Sequence, residues 1–268
     1  MSAIADSARR VGAMMLRHFY VLRGSWPRLL ELAYWPTMQM VIWGFMTEFL
    51  ATNSSWVAQA FGVLLAAVLL WDILFRGQIG FSLSFLEEMW ARNLGNLFVS
   101  PLRPFEHLLS MMAMSAARTL IGVLPAALLA IPLYHYSIFT LGLPLLAFFA
   151  TLMLMSWAVG MVVIALILRF GLGAENLAWF VIFLVAPVSA VYYPVTVLPA
   201  WLQYVSWSLP STYVFEGMRA ILFTGRFDAG LFFGALMLNV AYLAAAAAIY
   251  LFAFRRARYR GALLQVGE

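Results

Sequence analysis

Six stretches of the chain run for about twenty residues or more with almost no charge, near residues 31–50, 57–80, 106–131, 141–168, 175–197 and 231–254. A helix rises about 1.5 Å per residue, so about 20 such residues cross the roughly 30 Å hydrocarbon core of a bilayer. Inside that core the backbone must satisfy its own hydrogen bonds, which a helix does. The runs therefore predict an all-α polytopic membrane protein with six transmembrane helices, over residues 31–254. Composition agrees: with 65% hydrophobic and 10% charged residues, the chain has too few polar side chains to cover a soluble globule. There is no cysteine, which excludes a disulfide framework and a thiolate metal site.

Residues 1–30 read differently. Ile4, Ala8, Val11, Met15 and Leu22 recur at helical spacing, while Arg9, Arg10 and Arg17 fall mostly elsewhere on the wheel, until Gly24 to Pro27 breaks the pattern. The segment lacks the long apolar run of a cleavable signal and predicts an N-terminal amphipathic helix lying along the membrane surface. All 16 basic residues are arginine, and the net charge of +5 matters through its distribution. It does not point to nucleic acid. The connections at 51–56 and 132–140 contain no arginine, whereas the N-terminal region, the 81–105 connection, Arg169 and the tail at 255–268 do. The positive-inside bias places both termini in the cytoplasm of a multi-pass protein of the cell (cytoplasmic or inner) membrane, with Arg219 and Arg226 as the exceptions.

The inner connection FLEEMWARNLGNLFVSPLRP predicts a short helix over residues 85–100 at the cytoplasmic face. Glu88 and Arg92 stand at i,i+4 in it, and Ser100 and Pro101 stop it. Taken alone, Glu87 and Glu88 read as a solvated helix end. Charges within the spans cost about 2.5–3.5 kcal/mol each at the middle of an isolated helix, so they should be paired or face protein or water. Asp72 and Arg76, near the inner end of the second span, are spaced to pair with each other. Arg118 has no acid one turn away, which leaves a partner on another helix, such as Asp72, or a lipid phosphate.

On the outer side, YYPVTVLPAWLQYVSWSLPSTY carries three prolines in an apolar context. Pro187 should kink the fifth span, and Pro194 and Pro199 should end it. AWLQYVSWSL then forms a short helix from Pro199 or Ala200, and Pro210 closes that helix. STYVFEGMRAIL begins another, with Ser211 or Thr212 as cap and Glu216 reaching Arg219 at i,i+3. The pattern predicts a chain that dips in and climbs out without crossing, tolerated at membrane depth only where protein or a water-filled cavity replaces lipid. A plain aromatic belt anchoring the outer loop is the competing reading.

Catalytic signatures are missing. His18, His107 and His135 fall in three separate regions, with His107 read as an interfacial anchor, and no HExxH, GxSxG or paired intramembrane aspartates occur. Without any lysine the chain cannot supply the phosphate-binding lysine of a P-loop, so ATP-driven transport would require another polypeptide. An ion-coupled secondary transporter, dependent on Asp72 or Arg118, and an intramembrane lipid-modifying enzyme stand as alternatives.

The arginine-rich surface helix, six spans, the inner helix before SPLRP, and the pattern of Pro194, Pro199, Trp201, Pro210 and Arg219 together resemble the membrane subunit of an ABC-2 type (type V) transporter over nearly the whole chain. The resemblance implies a dimer, with a second copy or a related permease. It also implies two cytoplasmic ATPase subunits that carry ATP and Mg, none being bound by this chain. By resemblance, residues 1–30 are the connecting helix and residues 85–100 the coupling helix, with Glu87, Glu88 and Arg92 at the ATPase contact. Residues 198–222 are the re-entrant helices of an outer gate that includes Glu216. Tyr192, Tyr193 and Tyr204, with Trp201, are cargo contacts for a hydrophobic or amphiphilic molecule, whether lipid-like, drug-like or a glycan, moved outward.

Overall fold

The computed structural model describes residues 3–53 and 61–259, and what it describes is helical. The chain begins with α1 (Ala3–Arg23), turns at Gly24, and continues as α2 (Trp26–Asn53), with Pro27 in the first turn, where its missing N–H is not needed. α3 (Phe61–Trp90) is followed by the one-and-a-half-turn α4 (Leu94–Val99), then α5 (Pro104–Tyr134) and α6 (Leu143–Phe170). The fifth run holds α7 (Leu177–Val188), and beyond it come α8 (Ala200–Trp207), α9 (Pro210–Thr224) and α10 (Ala229–Tyr259). Part of the 51–56 connection, the start of the run at 57 and the tail beyond residue 259 lie outside the described residues.

Four of these helices, α3, α5, α6 and α10, are long and apolar enough to cross a membrane. α2 has the length, at 28 residues, but carries Arg28, Glu31, Gln39 and Glu48 among its apolar positions. α7 has only 12 residues, about 18 Å of helix, and so falls short of the 175–197 span that the sequence predicts. Pro187 lies next to its last residue; the helix ends there instead of kinking and running on to Pro194.

α3 is the axis of the bundle. Leu65, Ala66, Leu69, Leu70 and Leu74 on it are fully buried, and α2, α5, α6 and α7 all pack on it. α10 packs on the far side of α6 and leaves most of its own surface outward. At 30 residues α3 is about 45 Å long, well beyond a hydrocarbon core. The span expected to stop at residue 80 therefore continues for ten more residues, and the single helix expected over 85–100 is instead the last turns of α3, a break, and α4. Arg92 makes the break with φ of 53°, a left-handed conformation that costs a non-glycine residue about 1–2 kcal/mol.

Close helix approach rests on glycines. Gly160 on α6 faces the Phe81 ring, and Gly122 on α5 faces the carbonyl oxygen of Leu32, 2.7 Å from where a β-carbon would stand. A ring can tilt, but a helical backbone cannot easily retreat. Gly122→Ala should therefore separate α5 from α2 and destabilise the protein by about 1–3 kcal/mol. Thermal unfolding of the detergent-solubilised variant checks this, and an unchanged melting temperature would refute the backbone clash.

Candidate functional site

The end of the bundle where α3 gives way to α4 holds a cluster of charges from four helices. Glu87, in the last turns of α3, receives a 2.8 Å bond from Arg118 of α5, whose side chain is almost fully buried. Arg28 of α2 approaches the other Glu87 oxygen at 3.5 Å, and His18 Nδ1 of α1 lies 3.9 Å away. One residue on, Glu88 is only 2% exposed and bonds Arg17 of α1 at 2.9 Å and the amide of Asn93 at 2.8 Å. Glu106 closes the cluster: both its oxygens accept from Arg10, at 2.8 and 2.6 Å, and it also accepts the backbone N–H of Arg103 at the start of α5. This bidentate fork is the strong form of such a pair.

These contacts correct several expectations. Glu87 and Glu88 are not a solvated helix end; they are buried anchors that tie α1 and α2 to α3. Glu88 does not pair with Arg92, because the left-handed turn points that residue outward, where it is exposed. Arg118 does find its partner on another helix, but that partner is Glu87 and not Asp72. Asp72 and Arg76 form no ion pair among the described residues, and neither Asp72 carboxyl oxygen has a hydrogen-bond partner there. Because α3 extends to Trp90, Asp72 lies well inside the helix and not near its inner end. His107 is fully buried beside the Phe85 ring, not at an interface. On α1, the buried positions are Met14, His18 and Leu22; of the predicted stripe only Leu22 is among them, while Val11 and Met15 are half-buried and Ala8 is exposed.

Burial pushes the His18 imidazole down to about 4, helped by Arg118 and Arg17 and opposed by Glu87. At neutral pH it is uncharged. Since its value when docked lies below the ordinary 6.5, the stability it lends is full above that value and is lost as the pH falls toward 4.

At the opposite end, the chain after α7 is held by one side chain. Arg219 of α9 donates to the carbonyl oxygens of Ala190 and Val191, at 2.8 and 3.2 Å, and pairs with Glu216 at 3.0 Å. Glu216 in turn accepts the backbone N–H of Val195 at 2.8 Å, just after Pro194. Ala190 has φ of 52°, so the turn is strained and the Arg219 bonds hold it in place. Pro199 precedes α8 as its N-cap, and Pro210 is the first residue of α9, whose N-cap is Leu209. Ser211 and Thr212 do not cap; their hydroxyls bond Ser189 and Ser206. α8 has 8 residues, about 12 Å, too short to cross. Among the tyrosines, Tyr192 stacks on Trp43 of α2 at 4.7 Å and Tyr193 donates to the Pro187 carbonyl, so their faces or hydroxyls are already engaged. Trp201 and Tyr204 are exposed. The structure thus joins Glu216 and Arg219 to the turn at Pro194, and leaves Trp201 and Tyr204 apart from them.

No group of histidines and carboxylates able to hold a metal occurs among the described residues. The described residues thus form a helical bundle with four apolar helices long enough to cross a membrane, an ionic end and a short-helix end. The chain belongs to the ABC-2 type transporter family, whose model matches residues 12–223, well over half of its length. It is thus the membrane component of an ABC transporter, a permease and not itself an ATPase. Comparison with individual curated proteins returns no match.

The geometry makes two predictions. Removing one partner of a buried ion pair leaves the other uncompensated, at about 3–5 kcal/mol. Arg219→Ala should lose that much in denaturant unfolding, whereas Arg219→Lys, which keeps the charge but not the fork, should lose less. An Arg219→Lys variant as stable as wild type would show that the bonds to Ala190 and Val191 contribute nothing. Separately, the protection of the amides of residues 5–23 against hydrogen exchange, relative to their intrinsic rates, should fall between pH 6.5 and pH 4 in wild type, and much less in His18→Phe.

Proposed function

We propose that this permease works as one half of an ATP-driven exporter in the cell membrane. In this reading α2, α3, α5, α6, α7 with its outer extension, and α10 form six spans, both termini are cytoplasmic, and α1 lies along the inner surface. The active unit is a dimer with a second copy or a related permease, served by an ABC ATPase that supplies ATP and Mg. Family membership carries the proposal. The ion-paired inner end and the short outer helices support the assignment of sides, since arginine and glutamate gather where a cytoplasmic partner would dock.

The ATPase contact falls on the turn and α4, not on Glu87 and Glu88. Arg92, Asn96 and Val99 are exposed there, and Val99 is 91% exposed. Glu87 and Glu88 lie behind this surface and transmit its movement to α1, α2 and α5. Closure of the ATPase pair would push on α4, and the rigid α3 would carry that displacement toward the outer end. There Pro194, Pro199, Trp201, Pro210, Glu216 and Arg219 shape the exit. The cargo that suits the apolar walls is hydrophobic or amphiphilic, and the exposed Tyr204 and Trp201 are its contacts on leaving.

One observation favours a different reading: the unpartnered Asp72 carboxyl inside α3 is what an ion-coupled transporter would need. The two readings separate in one experiment. Copurification should recover an ATPase whose hydrolysis is stimulated by the permease. Val99→Asp should cut that stimulation several-fold while leaving the fold intact, whereas Glu87→Ala with Glu88→Ala should lower the yield of folded protein. Flux in vesicles driven by a proton gradient without ATP, and lost in Asp72→Asn, would overturn the ABC reading.

A further inference from the structure

Beside the ionic cluster, the inner turns of α3 turn a second face toward α7. Ile79, Leu83, Leu86 and Trp90, at helical spacings of four, three and four, line one wall of a cavity of about 160 Å³. Glu175 and Trp179 line the other wall. The indole N–H of Trp90 donates to Glu175 Oε2 at 3.3 Å. Among the described residues Glu175 has no ion pair, although the acids a few residues away on α3 are all taken by arginines. Trp90 and Trp179 are each 49% exposed at the rim, so the cavity opens outward instead of being sealed in the core.

The chemistry of this groove selects a ligand. A carboxylate without a cation among the described residues, in a cavity lined by two indoles, attracts a positive charge, and tryptophan is the best aromatic partner for an ammonium group. A cavity of comparable size, about 150 Å³, takes a benzene-sized guest, so the space fits a compact head group and not a sugar chain. The floor formed by Leu86, Leu83 and Ile79 then runs along α3 for roughly 16 Å from Trp90, as an apolar track for an alkyl tail. A phosphate beside the ammonium would meet Glu175 with no arginine to offset it, which disfavours zwitterionic phospholipid.

We propose that the groove between α3 and α7 is an inner-side recognition site for a cationic amphiphile, an alkylammonium whose head group pairs with Glu175 between Trp90 and Trp179. The proposal rests on the permease reading for its biological meaning and names the class of cargo that the reading leaves open. Placed at the inner end of α3, next to the turn at Arg92, the site would load cargo where the ATPase contact acts.

Photolabelling of the full chain in phosphatidylglycerol nanodiscs tests it, with a dodecyltrimethylammonium probe bearing a diazirine on its tail. Wild type should be labelled between residues 79 and 86. Labelling should fall at least five-fold in Glu175→Gln and in Trp90→Ala, and be largely kept in Glu175→Asp. A dodecyl sulfate probe with the same tail should not label this segment. Equal labelling by both head groups, or labelling unchanged in Glu175→Gln, would overturn the proposal. So would loss of the signal when phosphatidylethanolamine is added, since that would make the occupant a resident lipid. Size-exclusion profiles matching wild type confirm that each variant is folded. Labelling needs neither ATP nor the ATPase, so its failure would leave the permease reading standing, and failure to recover an ATPase would leave the labelling result intact.

Discussion

The bond between Glu87 and Arg118 is the contact on which the inner half of the molecule depends. An arginine buried in a membrane helix is tolerable only with a partner, and the partner here comes from a different helix, 31 residues earlier in the chain. Once Glu87 is committed to Arg118, its second oxygen and its neighbour Glu88 are available to the arginines of α1 and α2. His18 packs, uncharged, into the space between them. The amphipathic N-terminal helix is therefore held mainly by carboxylates of the bundle, while Leu16, Phe19 and Tyr20 stay exposed on its other side. That division suits a helix with protein on one flank and the lipid surface on the other.

A comparable economy operates at the outer end. The segment from Pro187 to Leu198 contains two prolines only seven residues apart, and it cannot satisfy its own carbonyls by helix formation. Arg219 supplies two donors to it and Glu216 one acceptor, so a single turn of α9 replaces the missing backbone ladder. This is why α9 must be a well-formed helix of 15 residues even though α8 beside it is short. The strained Ala190 turn persists because the arginine fork holds it.

How much of this was legible in the sequence differs by type of signal. Apolar run length located the helices α3, α5, α6 and α10, and proline position located the start of α8 to within a residue and that of α9 to within two or three, because both signals are local. The i,i+3 pair of Glu216 and Arg219 was readable for the same reason. What failed was the pairing of charges away from the outer end, where even i,i+4 spacing misled. Glu88 was assigned to Arg92 by spacing, but a left-handed residue at Arg92 breaks the helix on which that spacing depends. Arg10 and Glu106 are 96 residues apart, and nothing in either neighbourhood points to the other. The end of the second run at residue 80 was also misread, because Glu87 and Glu88 look like the polar end of a span until their burial among arginines is known. The groove at Glu175 left no motif at all, since its walls come from two helices and only their packing brings Trp90 beside it.

These features converge on the last three turns of α3. One face, through Glu87 and Glu88, carries the ion pairs to α1, α2 and α5; another, through Leu86 and Trp90, lines the groove toward α7; and the helix ends in the exposed turn at Arg92 that leads to α4. Between that turn and the residues of both faces α3 has neither proline nor glycine, Gly80 being the nearest, so a displacement applied there is passed on with little bending. It must reach both faces together. On the transport reading, pressure on α4 would shift Trp90 against Glu175 in the same movement that shifts Glu87 against Arg118. Release of a head group from the groove and reorientation of the surface helix would then be two consequences of one rigid-body step, which is the physical requirement for linking hydrolysis in one polypeptide to movement of cargo in another.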